Sequence, residues 1–136
     1  MNVYHKILVT IDCSPVDETV LKHVAALAIQ NEAIVYLLHV VHSHTLDQNR
    51  ALTEIAEIAL SKYSQQLRDQ GIAVEVIMRS GEPETEIYNE IQQQDFDLVA
   101  MATHGHSLLE SVLYGSVSRS LKYRIYIPLL LIGSPQ

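Results

Sequence analysis

Two stretches of small and polar residues have the composition of a loop that binds an anion. Residues 102–107 read Ala-Thr-His-Gly-His-Ser, and Gly115-Ser116 stands just before a segment with helical spacing. Small residues let the backbone approach a phosphate closely, and the first N–H groups of a helix favour negative charge. The two stretches therefore favour a phosphate-bearing ligand, with N–H groups from Ser116, Val117 and Ser118.

A third polar stretch, Asp12-Cys13-Ser14, follows an apolar run near the N-terminus. Asp12 could hold sugar hydroxyls or a metal ion, or it could be a turn residue after a strand. We expect Ser14 to cap a helix whose first residue is Pro15. Cys13 could be redox-sensitive, but a small buried thiol is the commoner role.

The histidines do not predict a metal site, because no cysteine or carboxylate completes a tetrahedral set with them. A phosphate contact from His104 or His106 remains a hypothesis. We find no nucleophile–base pair and no catalytic arginine or carboxylate, so whether the chain is an enzyme stays open. The histidines that could be considered as metal ligands are His39, His42, His44, His104 and His106.

Two familiar phosphate motifs are missing from the sequence. It contains no G-x-x-x-x-G-K-[ST], which argues against a P-loop protein. The first strand is followed by Asp12-Cys13-Ser14-Pro15 rather than G-x-G-x-x-G, which argues against a dinucleotide fold.

The elements that must position these residues alternate between short apolar runs and longer segments with helical spacing. Strands alternating with helices predict a parallel sheet covered on both faces, in the order 3-2-1-4-5. In that order the chain reverses between the first and fourth strands, where ligands of open parallel sheets bind. The predicted strands are Ile7 to Ile11, Ala33 to Val41, Ile72 to Met78, Leu98 to Thr103 and Ile127 to Ile132.

The last strand differs from the others. From Ile125 to Ile132 it is almost wholly apolar, yet it contains Pro128, which favours an edge position. A bare apolar edge would aggregate, so we expect the same strand of a second subunit to cover it in a homodimer.

The third predicted strand also suits an edge of the sheet. Residues 42–48 are predicted to be a flexible loop.

The composition suits one globular domain spanning residues 1–136, with 48% hydrophobic and 18% charged residues. The net charge of −7 argues against nucleic-acid and membrane partners. One basic cluster, Arg119, Lys122 and Arg124, suits a helix end. No apolar run reaches the roughly 20 residues of a membrane span, and no signal peptide is evident. With a single cysteine, these features predict a cytoplasmic protein.

The two glycine-containing stretches are separated by a fixed spacing: Met101-Ala102-Thr103-His104-Gly105, nine residues, then Gly115-Ser116-Val117-Ser118. In this stretch the chain resembles the nucleotide motif of the universal stress protein family. That motif is Gly, two residues, Gly, nine residues, Gly, then Ser or Thr. The openings and endings are also similar: Lys6 to Ser14, Leu38-His39-Val40-Val41 and Ile127 to Ile132.

The resemblance implies a Rossmann-like α/β fold and a site for ATP, or AMP or ADP, with Mg²⁺ accompanying the phosphates. Asp12 and Val40, with the backbone around Thr10, would flank the adenine and ribose. Met101 and Ala102 would begin the phosphate loop, whose glycines and serines would cradle the phosphates. The implied site is Thr10, Asp12, Val40, Met101, Ala102, Thr103, His104, Gly105, His106, Gly115, Ser116, Val117 and Ser118, and no metal site is made by protein side chains alone.

Two positions depart from the family pattern. Ala102 stands where the pattern has Gly, and its methyl group adds bulk where the backbone must come close to the ligand. Alanine is also strained if that position needs φ > 0, and otherwise the change is mild. Thr10 stands where Pro is common. Three hypotheses remain: a dimeric stress-response or signalling module that binds a nucleotide and acts on a protein partner not identified by the sequence, a dimeric interaction protein of the same fold without nucleotide, and a slow ATPase.

Overall fold

Helices and parallel strands alternate along the chain. The computed structural model describes residues 2–103 and 117–133. Among the helices it describes, none is both long enough and apolar enough to cross a membrane. The elements are β1 (Lys6–Thr10), α1 (Val16–Asn31), β2 (Ile34–Val41), α2 (Leu46–Asp69), β3 (Ala73–Ser80), α3 (Pro83–Gln93), β4 (Leu98–Ala102) and β5 (Leu129–Ile132), and residues 117–121 are also helical.

The sheet has five strands in the order β3-β2-β1-β4-β5, and every pair of neighbours is parallel. The predicted fold class and strand order are therefore confirmed. β1 is central and β3 and β5 are the edges, as their apolar patterns predict. β5 begins after Pro128, two residues later than predicted, and the Pro128 carbonyl accepts the Val99 N–H.

Each face of the sheet is covered by helices. On one face, apolar side chains of α1 and α2 pack against odd-numbered positions of β1, such as Ile7 and Val9. On the other face, α3 and the helical residues 117–121 pack against Leu8 and its neighbours. The alternation of side chains along a strand therefore tells which helical layer each residue of β1 contacts.

Two helix ends show how local sequence sets the boundaries. The Thr45 side chain caps α2 by accepting the N–H of Gln48, so α2 begins at Leu46 and the predicted flexible loop over residues 42–48 is wrong beyond Thr45. The sequence does contain a signal for this helix start, since Thr45 is a residue type that favours the N-cap position and it precedes Leu46-Asp47. Gly71 has φ +84°, a conformation that favours glycine, and it follows α2 as predicted.

Candidate functional site

Four predicted site residues share one face of the sheet at the carboxyl ends of three neighbouring strands. β1 pairs with β2 at Thr10↔Leu38 and with β4 at Val9↔Ala100. Continuing these registers sets Asp12 beside Val40 and Thr10 beside Met101. Val40 and Met101 pack on the α3 side, and Thr10 and Asp12 follow Leu8 at alternate positions of the same face.

Thr10 brings a polar group into this buried edge. Its side chain is 3% exposed, and its Oγ1 has no hydrogen-bond partner among the described residues. A buried hydroxyl without a partner costs free energy, which a ligand or water could offset. Val40 is equally buried and apolar, so the two side chains offer a polar and an apolar contact at neighbouring strand ends.

The turn after β1 is held by hydrogen bonds from its own side chains. The Ser14 hydroxyl donates to Asp12 Oδ2 at 2.5 Å. The expectation that the Ser14 hydroxyl caps α1 is wrong, because its oxygen accepts no N–H from the first turn of the helix. The cap position is Pro15, and Ser14 contributes its backbone carbonyl, which accepts the N–H of Asp17 at 3.0 Å.

A buried carboxylate, Asp17, organises this turn. Its Oδ1 accepts the N–H of Asp12 at 2.8 Å, and its Oδ2 accepts the N–H groups of Cys13 and Ser14 at 2.8 and 3.3 Å. The Tyr63 hydroxyl of α2 lies near enough to the same carboxylate to lower its pKa. Burial, and then the nearby charge of Asp12, raise the pKa of Asp17 to about 6, while these hydrogen bonds oppose the rise.

The thiol of Cys13 packs beside His39 of β2. Cys13 has φ +61°, a left-handed backbone uncommon outside glycine, and its N–H is held by Asp17. The Sγ atom lies 3.7 Å from Nδ1 of His39, which itself lies 2.7 Å from the Ile11 carbonyl oxygen. Burial raises the pKa of Cys13 to about 12, and the Asp17 and Asp12 carboxylates add to the rise, so the structure favours a neutral thiol.

At the end of β4, Ala102 has an ordinary strand backbone. It lies within β4, pairs with Ile132 and is 3% exposed, and the positive φ values among the described non-glycine residues belong to Cys13 and Glu32. Its methyl group packs in the core on the α1 side. The described backbone therefore accepts alanine here without strain, which answers the alternative left open by the sequence. The next residue, Thr103, donates its N–H to Ile132 at 3.1 Å.

The centre of the predicted phosphate loop lies outside the described residues. This holds for His104, Gly105, His106, Gly115 and Ser116. Beyond them, Val117 and Ser118 are helical and buried, with Val117 packed beside Met101 in the core on the α3 side.

His42 and His44 follow the end of β2. The rings of His42 and His44, just after β2, contact edge to face with centroids 5.2 Å apart, and His42 Nδ1 lies 3.8 Å from Glu82. Within residues 2–103 and 117–133, no three His, Cys, Asp or Glu side chains form a group that could hold a metal ion.

Asp17 and Tyr63 are not among the site residues that the sequence predicts. From the sequence, Asp17 falls in the first turn of α1, where negative charge is favoured, and Tyr63 falls on the apolar face of α2. One signal was available: an acidic residue three positions after Ser14 can reach back to backbone N–H groups, as in half of a capping box. Tyr63 lies 46 positions after Asp17 in the sequence, so no local pattern could show that they are close in the fold.

Comparison with known proteins identifies the family. The model of the universal stress protein family matches residues 3–133, nearly the whole chain. The protein belongs to the universal stress protein family. A curated relative, universal stress protein MJ0531 of Methanocaldococcus jannaschii, is 28% identical over 99% of this chain and 85% of its own length.

Solved structures of other universal stress proteins share the fold. The structure of MJ0577, from the same organism, has a TM-score of 0.85 and 30% identity, covering 98% of this chain and 99% of its own. A universal stress protein from Archaeoglobus fulgidus, solved in complex with dAMP, has a TM-score of 0.74 and 23% identity, covering 96% of this chain and 98% of its own. The latter likeness establishes the fold alone.

Proposed function

We propose that this universal stress protein binds ATP, or AMP or ADP, at the carboxyl ends of β1, β2 and β4. The observation that carries the proposal is the convergence of Thr10, Asp12, Val40 and Met101 on one face of the sheet, at the point where strand order reverses. Ligands of open parallel sheets bind at this reversal, since the chain leaves neighbouring strands in opposite directions and opens a crevice.

The residues present suit the base and sugar of a nucleotide. Val40 supplies apolar contact for adenine, Asp12 accepts ribose hydroxyls, and Thr10 offers a buried hydroxyl. The ordinary backbone of Ala102 supports the proposal, because this position does not require the positive φ that favours glycine. The relative from Archaeoglobus fulgidus, solved with dAMP, supports an adenine nucleotide as the ligand class.

The phosphate part of the proposal rests on the family motif. Thr103, His104, Gly105, His106, Gly115, Ser116, Val117 and Ser118 would surround the phosphates. Mg²⁺ would accompany them, bound by phosphate oxygens and water rather than by a set of protein side chains.

The proposed role is that of a dimeric module in stress response or signalling. β5 is an edge strand, and apolar side chains stay exposed on and before it: Leu131 is 40% exposed and Tyr126 fully exposed. A second β5 covering this edge would make a homodimer. Nucleotide binding would then alter contacts with a protein partner in the cytoplasm.

Calorimetry tests the proposal. Nucleotide-free protein titrated with ATP and Mg²⁺ should release or absorb heat, and saturating ATP should raise the unfolding temperature. A ligand that binds only the folded state stabilises it by about 2.7 kcal/mol at a hundred times its Kd. No heat and an unchanged unfolding temperature at near-millimolar ATP would favour a dimeric interaction protein without nucleotide.

Three variants locate the site. Gly105→Val adds bulk where a phosphate must approach and should bind ATP much more weakly. Asp12→Asn removes the charge facing the ribose, whereas the matched control Asp69→Asn changes an exposed carboxylate at the end of α2 and should bind as the wild type does. Equal loss of affinity in both asparagine variants would contradict the assignment of Asp12.

A further inference from the structure

We propose that Asp17 is a positioning residue for the nucleotide, because its carboxylate holds three consecutive backbone N–H groups and thereby fixes the Asp12 side chain against the ribose. The inference rests on the proposed nucleotide site. It adds a residue that lies on α1, away from the ligand's own contacts.

The first step is the hydrogen bonding of the turn. The two oxygens of Asp17 accept the N–H groups of Asp12, Cys13 and Ser14 at 2.8, 2.8 and 3.3 Å. Three successive N–H groups can point at one carboxylate only when the backbone turns sharply around it, and Cys13 does so with φ +61°. Without this acceptor, three N–H groups of the turn would lose their partner and the turn its geometry.

The second step is the anchoring of the carboxylate itself. Asp17 is 1% exposed and Tyr63 6% exposed, and the Tyr63 hydroxyl lies close enough to Asp17 for the two groups to shift each other's pKa. Around them lie the carboxylate of Asp12, the Cys13 thiol and, next along α1, Glu18, which pairs with Lys62 at 3.4 Å. Asp17 is therefore held by α1 and α2, both of which pack on the sheet, and it gives the turn a rigid support.

The third step links the turn to the ligand side. The Asp12 side chain accepts the Ser14 hydroxyl at 2.5 Å, so it is held by a residue that Asp17 also holds. On the other side, Ile11 donates its N–H to the Leu38 carbonyl at 2.8 Å, which ties the end of β1 to β2. The position of Asp12 relative to Val40 thus depends on β pairing on one side and on Asp17 on the other.

A role confined to folding would give a different result from a positioning role. A carboxylate that merely stabilises the start of α1 would alter the free energy of unfolding and leave the recognition of ribose unchanged. A positioning residue must also change how the site discriminates between sugars, since Asp12 contacts the hydroxyl groups. The test therefore compares ATP with 2′-deoxy-ATP and 3′-deoxy-ATP.

The experiment uses the whole protein and two matched variants. Asp17→Asn keeps the size of the side chain but presents an amide donor to backbone donors, whereas Glu18→Gln makes the same chemical change at the next, half-exposed position. Amide hydrogen exchange is measured at residues 12–14 without nucleotide, and Kd is measured for the three nucleotides. Tyr63→Phe, which removes the hydroxyl beside Asp17, serves as a second variant if Asp17→Asn does not fold.

Asp17→Asn should exchange the N–H groups of residues 12–14 about tenfold faster or more and should bind ATP about tenfold more weakly. The ratio of its Kd for the better-binding deoxy analogue to its Kd for ATP should fall toward one. Tyr63→Phe should move both quantities in the same direction by a smaller factor, and Glu18→Gln should match the wild type.

The outcomes separate this inference from the proposed function. If the wild type prefers ATP and folded Asp17→Asn shows the same affinity and preference, the role of Asp17 is overturned and the nucleotide site stands. If the wild type binds none of the three nucleotides, both proposals fail. Faster exchange at residues 12–14 without any change in sugar preference would assign Asp17 to folding alone and overturn the positioning role.

Discussion

The Cys13 sulfur lies 3.7 Å from Nδ1 of His39, and the same nitrogen lies 2.7 Å from the carbonyl oxygen of Ile11. Because a carbonyl oxygen only accepts, Nδ1 carries the proton and donates it to Ile11. The other nitrogen, Nε2, lies 3.9 Å from the sulfur, and burial lowers the pKa of His39. The imidazole is therefore a poor base for the thiol, and the contact is one of packing.

This relationship predicts a thiol that reacts slowly. Burial, followed by the charges of Asp17 and Asp12, raises the pKa of Cys13 from 9.0 to about 12, so the thiolate fraction at pH 8 falls by about three orders of magnitude. Alkylation by iodoacetamide should be at least a hundredfold slower in the folded protein than in urea, and its rate should keep rising above pH 9. Cys13 is the single cysteine, so mass spectrometry reads the reaction directly. Equal rates in the folded and unfolded protein would show an exposed, ordinary thiol.

Much of the fold follows from the sequence because the signals are local. Uninterrupted apolar runs such as Ile7 to Ile11 predict central parallel strands, and the mixed pattern around Glu75 predicts an edge. Ser14 shows the limit of such signals. A serine before a proline is typical of a helix cap, but here the Ser14 hydroxyl donates to the Asp12 carboxylate and the Asp17 N–H goes to the Ser14 carbonyl. The local pattern does not show this arrangement, because both cap and turn use the same residue types.

The candidate site is less predictable than the fold. The positions of Thr10, Asp12 and Val40 follow from strand order and alternation, both of which the sequence indicates. The support given to the turn by Asp17 and Tyr63 does not, since it depends on how α1 and α2 pack. The effect of Ala102 also needed the backbone φ values, because sequence does not reveal whether one position requires glycine.

The Ala102 position gives a second prediction. Since its backbone does not need glycine, Ala102→Gly should leave the Kd for ATP within about twofold of the wild-type value. It should lower the free energy of unfolding by about 1.5 kcal/mol, because a buried methyl is lost and glycine is costly within a strand. Urea denaturation and calorimetry measure the two effects. Ala100→Gly, on the same face of β4 but away from its end, is the matched control and should cost a similar free energy. A large gain of affinity in Ala102→Gly alone would show that the methyl obstructs the ligand.

The buried Asp17 predicts a specific pH dependence of stability. Its pKa is about 6 in the folded protein and near 3.8 in the unfolded chain, so the folded protein binds this proton more tightly. The resulting stability is fully present below about pH 4 and is lost as the pH rises through about 6. Asn does not titrate. The stability of the wild type relative to Asp17→Asn should therefore fall by up to about 3 kcal/mol between pH 4 and pH 7. Urea denaturation of both proteins across this range measures the difference, and a constant difference would contradict a raised pKa.

The apolar edge at β5 predicts how the proposed dimer can be broken. Its strand Leu129–Ile132 pairs on one side with β4, and Leu131 is 40% exposed. If a second β5 covers this edge, a charge at Leu131 would be buried in the interface, and removing an ammonium group from water costs several kcal/mol. Leu131→Lys, which places two such charges in each dimer, should raise the dimer dissociation constant by about a hundredfold or more.

The opposite edge of the sheet supplies the control for this experiment. Val76 of β3 is 43% exposed and lies on the other edge strand, so Val76→Lys adds the same charge to a comparably exposed apolar position. Light scattering after size-exclusion chromatography should give the wild type and Val76→Lys twice the 15.3 kDa mass of one chain, and Leu131→Lys the mass of one. A wild type that stays monomeric at all concentrations would contradict the dimer. If Val76→Lys were monomeric while Leu131→Lys remained a dimer, the interface would lie at β3 instead. The reason is that a lysine destabilises the dimer only where its ammonium group is buried between the subunits.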